Sequence, residues 1–135
     1  MKRGAAGTVR GIAAAVLAAL FVAVAGTGLH RQTLPVSGMD VPWGVIASLV
    51  LLASVQLWLA AWSRSIIPTA VAGVVSYAAV GVLSSARPAK QLVLGDVTGT
   101  AWVFGIAAVT LVMLVAAGRL RAARPAVVAV EAEPL

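Results

Sequence analysis

The chain has 135 residues, 61% hydrophobic and 10% charged, with a mean hydropathy of +1.04 and a formal charge of +6. A soluble domain carries about 25% charged residues, so the polar groups here are too few to cover a water-facing surface, and the class is integral membrane. There is no cysteine, which excludes a disulfide framework and a thiolate metal site. The basic residues sit at the ends of apolar segments, a pattern that reads as membrane topology rather than nucleic-acid binding.

The chain starts with the basic run "MKRGAAGTVR" and enters a first apolar stretch, residues 11–29, with no charge inside it. A spanning helix needs about 20 such residues. A signal peptide competes for this stretch, because Ala23-Val24-Ala25 has the form of an A-x-A cleavage site. The apolar run continues to Leu29, longer than an ordinary signal core, and this favours a retained helix.

The connection "HRQTLPVSGMDVP" is rich in turn formers and leads into a second span, residues 43–62, whose strongly polar residue is Gln56. Only "SRS" separates it from the third span, residues 66–83, which carries Ser76 and Tyr77. The most polar run in the middle of the chain follows, "SSARPAKQLVLGD", and it holds the only charges between Arg64 and Arg119: Arg87, Lys90 and Asp96. It reads as the bend before a fourth span, residues 98–118, which carries Thr110. The tail "RLRAARPAVVAVEAEPL" is basic, then acidic, and is expected to have no fold of its own.

These spans predict an all-α integral membrane four-helix bundle, up-down-up-down. On one side lie Lys2, Arg3, Arg10, Arg64, Arg119, Arg121 and Arg124, and on the other Arg31, Arg87 and Lys90. The basic-rich side is expected to be cytoplasmic, with both termini on it, in the cell membrane. Trp43 and Trp102 are expected at the outer interface, and Trp58 and Trp62 near the inner one.

Local signals explain the helix ends. Asp40 and Asp96 precede the second and fourth spans, where a carboxylate accepts a backbone N–H and opposes the helix dipole, worth about 1 kcal/mol. Ser65 is an N-cap candidate for the third. The two outer connections, "RQTLPVSGMDVPWG" and "KQLVLGDVTGTAW", run through the same residue classes in the same order. They suggest a duplicated hairpin or simply two loops under one constraint.

Helix association in lipid relies on small residues. The first span offers Gly11, Ala15, Ala19 and Ala23; the third offers Gly73, Tyr77 and Gly81, with Ala72, Ser76 and Val80 beside them; the fourth offers Ala101 and Gly105. An unsatisfied amide in hydrocarbon costs several kcal/mol, so Gln56 needs a partner. Tyr77 and Ser76 are the candidates, either as an interhelical hydrogen bond or as the polar floor of a small cavity.

The absent chemistry narrows function. No ionisable residue falls inside the spans, whereas proton-coupled exporters need one. With one histidine, His30, and no H-E-x-x-H motif, no intramembrane protease constellation forms. No catalytic residue, cofactor or metal is expected, and no enzyme. His30, Arg31, Asp40, Arg87, Lys90 and Asp96 remain as an outer-loop contact surface for an anionic headgroup or a partner, or as ordinary solvated charge.

Several short motifs carry a resemblance: "LHR" (Leu29 to Arg31), "PWG" (Pro42 to Gly44), and "RPAKQLVLGD" followed by Gly99 and Trp102. Over roughly this stretch the chain resembles an uncharacterised actinobacterial family of small four-transmembrane-helix proteins, a domain of unknown function. Members have an acidic residue after the Arg-Pro, where this chain has Lys90 and Gln91. The resemblance implies the four-helix topology and a retained first helix, and it carries no activity. The expectation is a non-enzymatic accessory or assembly partner in the cell envelope. Its partners would be the lipid bilayer and another membrane protein or a homo-oligomer. The alternative is a passive conduit or small transport subunit acting as an oligomer, lined by Gln56, Ser76 and Tyr77.

Overall fold

A computed structural model describes residues 2–85 and 97–131, with side chains over 4–85 and 97–123. The elements are α1 (Lys2–Leu29), β1 (Leu34–Val36), β2 (Met39–Val41), α2 (Trp43–Ser63), α3 (Ile67–Ser85) and α4 (Val97–Glu131). Each helix contains a stretch long and apolar enough to cross a membrane: Gly4–Leu29, Trp43–Ser63, Ile67–Ser85 and Val97–Ala123. The shortest has 19 residues, roughly 28 Å at 1.5 Å per residue, against a hydrocarbon core of about 30 Å.

Both α1 and α4 pack against α2 and α3, and α2 touches α3. Small residues set these approaches. Gly11, Ala15, Ala19 and Ala23 of α1 are all buried, in line with their four-residue spacing. Ala15 and Ala19 meet Leu59 and Ala72 in one core cluster, while Val22 and Ala23 meet Leu52, Val80, Trp102 and Ile106 in another. Gly73 lies against Thr110, so closely that a Cβ there would collide with the threonine side chain. Gly105 lies against Leu49.

The buried face of α3 differs from one of the two expected. Gly73 faces inward, but Tyr77 is 48% exposed and Gly81 is exposed, with open space where a Cβ would stand. The packed face is Thr69, Ala72, Ser76, Val80 and Ser84. Spacings of three and four share a helix face, and the polar members of this set are small enough to sit against a neighbouring backbone. Tyr77 is not. Ala101 of α4 is also exposed.

Helix bounds shift as well. α1 begins at Lys2 rather than residue 11, and α4 continues from Gly118 to Glu131, so the tail is helical over that range. Alanine and arginine rank among the strongest helix formers, and they dominate the segment after Gly118.

The first connection folds into a two-stranded antiparallel hairpin, pairing Leu34 with Val41, Pro35 with Asp40 and Val36 with Met39. Its two-residue turn is Ser37-Gly38, both at positive φ (50° and 83°), the form that matches strand twist. Asp40 therefore does not cap α2. It is held in β2, and Pro42 occupies the N-cap position with no side-chain cap. The Gly44 N–H is instead satisfied by the Gln32 carbonyl at 3.0 Å. Ser65 does serve the start of α3: its Oγ accepts the Ile67 N–H at 3.2 Å. Arg64 ends α2 in the left-handed conformation (φ 52°), which makes the tight turn into α3.

Candidate functional site

Three regions hold the polar chemistry: the buried middle of the bundle, the hairpin end, and the opposite end with its basic residues. In the middle, Gln56 is fully buried. Its Nε2 donates to Thr110 Oγ1 at 2.9 Å, which ties α2 to α4. Thr69 Oγ1 donates to the Gln56 carbonyl at 3.3 Å and ties α3 to α2. Ser76 Oγ donates to the Ala19 carbonyl at 3.4 Å and ties α3 to α1.

The expected grouping of Gln56 with Ser76 and Tyr77 does not form. Gln56 bonds Thr110, Ser76 bonds a backbone carbonyl of α1, and Tyr77 points outward. The reason is helical phase: adjacent positions 76 and 77 stand about 100° apart, so one buried residue puts the next outside. Thr110 was visible as a mid-span hydroxyl. What the sequence could not supply is the pairing of α2 with α4.

Several serine hydroxyls are satisfied within their own helix. Ser54, Ser63 and Ser84 each donate to the carbonyl four residues back, at 2.7, 2.6 and 2.6 Å. Ser48 donates to Gly44 at 2.7 Å and reaches the Gly26 carbonyl of α1 at 3.2 Å.

At the hairpin end, His30 is 1% exposed. Its Nδ1 lies 2.6 Å from the Thr27 carbonyl, and its ring stacks on Trp102 with centroids 6.5 Å apart and planes 17° apart. Trp102 is fully buried against Gly26, which corrects the expectation of an interfacial ring. A tryptophan can enter the bundle here because Gly26 has no side chain in its way. Trp43, by contrast, is 38% exposed. Arg31 and Asp40 are exposed. His30 is thus a packed component of the bundle, separate in character from the two loop charges. Arg87, Lys90 and Asp96, and the bend that carries them, lie outside the described residues.

At the opposite end, Trp58 and Trp62 are 56% and 53% exposed and stack with planes 3° apart and centroids 5.6 Å apart. A cavity of about 380 Å³ opens there between the first turns of α1 and the α2–α3 turn, lined among others by Arg10, Trp62, Ser63 and Ser65. A smaller one, about 40 Å³, is lined by Ala60, Ala61, Arg64, Ala117, Leu120 and Arg121. Sequence reasoning used Arg10, Arg64 and Arg121 only as topology charges; nothing in their spacing signalled that they line cavities. Among the described residues, no three His, Asp or Glu side chains come together.

Comparison with protein-family models, curated proteins and solved structures finds no match to this chain.

Proposed function

We propose that the chain is a multi-pass protein of the cell membrane, with its helices running up-down-up-down, both termini cytoplasmic, and a non-enzymatic role as an accessory or assembly partner in the envelope. One observation carries this reading. Gln56, Thr69, Ser76 and Thr110 tie helix to helix within the bundle, while large apolar side chains such as Leu17, Val50, Val74, Val82, Phe104 and Leu111 cover the outside. In water that exterior would be an aggregation surface; in lipid it is the expected one. The same ties commit the Gln56 amide donor, Thr69 and Ser76 to holding the helices together. A scaffold needs none.

The inside–outside assignment rests on the basic residues. Arg10, Arg64 and Arg121 line cavities at one end of the helices, and His30 and Asp40 stand at the other. The absence of cysteine makes a clean test possible. A single cysteine at Ser37 should react with an impermeant maleimide in intact cells, and one at Ala122 only after permeabilisation. The reverse pattern would refute the orientation. For the accessory role, affinity purification in mild detergent should return a defined second membrane protein, or a homo-oligomer; monomer alone refutes it. The conduit reading has less support, because Gln56 and Ser76 face inward on separate ties and Tyr77 faces outward.

A further inference from the structure

The 380 Å³ cavity at the basic end has a composition that packing does not explain. Gly4 and Gly7 form part of its wall, and a Cβ added to either would meet nothing within 4 Å. Glycine inside a helix costs about 0.5–1 kcal/mol relative to alanine, and here no close approach requires it. At both positions a side chain would stand in open space. Arg10 lines that space beside Ser63 and Ser65.

Charge balance points the same way. The four acidic residues of the chain are Asp40, Asp96, Glu131 and Glu133. Asp40, the one whose side chain is described, is in the hairpin, and no ion pair to Arg10 is formed among the described residues. Arg10 is exposed, and the described carboxylate stands in the hairpin, so its guanidinium is open to an anion from outside the bundle. The volume is at the small end of ligand pockets, about 300–1,000 Å³, which suits a headgroup rather than a whole lipid. The exposed Trp58–Trp62 stack stands beside it, and tryptophan rings settle at headgroup depth. At that depth the abundant anion is a phosphate ester. A guanidinium fork matches its oxygens.

We propose that this cavity binds the phosphate of an acidic phospholipid headgroup, with Arg10 as the charged contact and the Gly4–Gly7 face as the opening. The inference rests on the membrane reading above.

The test uses the full-length chain in phosphatidylcholine vesicles containing a minor share of phosphatidylglycerol, with the retained lipid identified by native mass spectrometry after mild extraction. Wild type should retain phosphatidylglycerol over phosphatidylcholine about fivefold beyond their ratio in the vesicle, the scale of one arginine at a membrane surface. Arg10→Gln and Gly7→Leu should each abolish the preference, one by removing the charge and the other by filling the space. Arg10→Lys should keep part of it, and Arg119→Gln all of it. Equal retention of the two lipids by wild type, or a preference that survives both Arg10→Gln and Gly7→Leu, overturns the site; the latter result would mean diffuse surface charge. Inorganic phosphate at millimolar concentration should fail to displace the lipid. Displacement by it, without any lipid preference, would make the ligand a free anion and overturn the lipid assignment. A chain that does not enter vesicles at all overturns the membrane reading itself, whereas insertion without preference overturns only the site. Should Gly7→Leu not insert, Arg10→Gln, a substitution at an exposed position, decides alone.

Discussion

At the hairpin end, backbone meets backbone. Gly44 is pressed against the Leu29 carbonyl and Gln32, its N–H is taken by the Gln32 carbonyl, and the Trp102 ring fills the space over Gly26 under His30. At the basic end, a Cβ at Gly4 or Gly7 would meet nothing, and the arginines line open cavities. The same residue type serves opposite purposes at the two ends. Glycine permits contact in one place and preserves room in the other, and only the neighbours distinguish them. Stability is therefore expected to reside in the hairpin end and the middle, with the basic end tolerant of change.

The largest effect expected from that contrast is at Trp102. Trp102→Ala removes a fully buried ring that joins α1 and α4 to the core, and should cost about 3–5 kcal/mol, measured by unfolding of the purified protein in mixed micelles. Trp62→Ala, at the other end, removes a half-exposed ring and should cost less than about 1 kcal/mol. Equal costs at the two positions would break the comparison.

Gly44→Val comes next. Its Cβ would be driven into the Leu29 carbonyl, a backbone atom with no means of yielding, so a loss of about 3 kcal/mol is expected. Gly81→Ala places its Cβ in open space and should be neutral or gain up to about 1 kcal/mol from helix propensity.

In the middle, the two partners of one hydrogen bond should respond unequally. Thr110→Val keeps the shape of the side chain but leaves the Gln56 amide donor without its acceptor, at a cost of about 1–3 kcal/mol. Gln56→Leu removes both the donor and an Oε1 that already has no partner among the described residues. It leaves behind only a threonine hydroxyl, which can turn to a carbonyl of its own helix. Its cost should stay below about 1 kcal/mol. A larger loss for Gln56→Leu than for Thr110→Val would show that the amide does more than tie α2 to α4.

Much of this architecture was legible in the chain, because bilayer length and the lack of internal charge specify spans without regard to partners. The alanine stripe of α1 was legible for the same reason: four-residue spacing fixes a face. Helix partners were not legible. Gln56 was expected to find a group on the next helix, since adjacent segments form hairpins, but it bonds Thr110 of α4. Trp102 was placed by residue type at the interface, and only the gap over Gly26 reveals why it is buried. The hairpin strands are three residues each, too short for alternation to register, although Ser37-Gly38 between Leu-Pro-Val and Met-Asp-Val carries the turn signal. The pairing puts Leu34, Val36, Met39 and Val41 on one face, and the first three are more than half exposed. The cavity at Arg10 was invisible because its wall is assembled from two separate parts of the chain, the first turns of α1 and the α2–α3 turn.

That last point yields the smallest and most discriminating effect. Gly7→Ala adds one methyl group facing open space. If the glycine has no role beyond its place in the helix, the substitution should stabilise α1 by about 0.5–1 kcal/mol and change nothing else. If the opening is used, the same variant should gain that stability and hold phosphatidylglycerol less well than wild type, since the methyl group narrows the opening. Unfolding and lipid retention measured on one preparation separate the two cases. A gain in stability with unaltered lipid retention would make the basic end merely loose, and would remove the functional half of the contrast between the two ends.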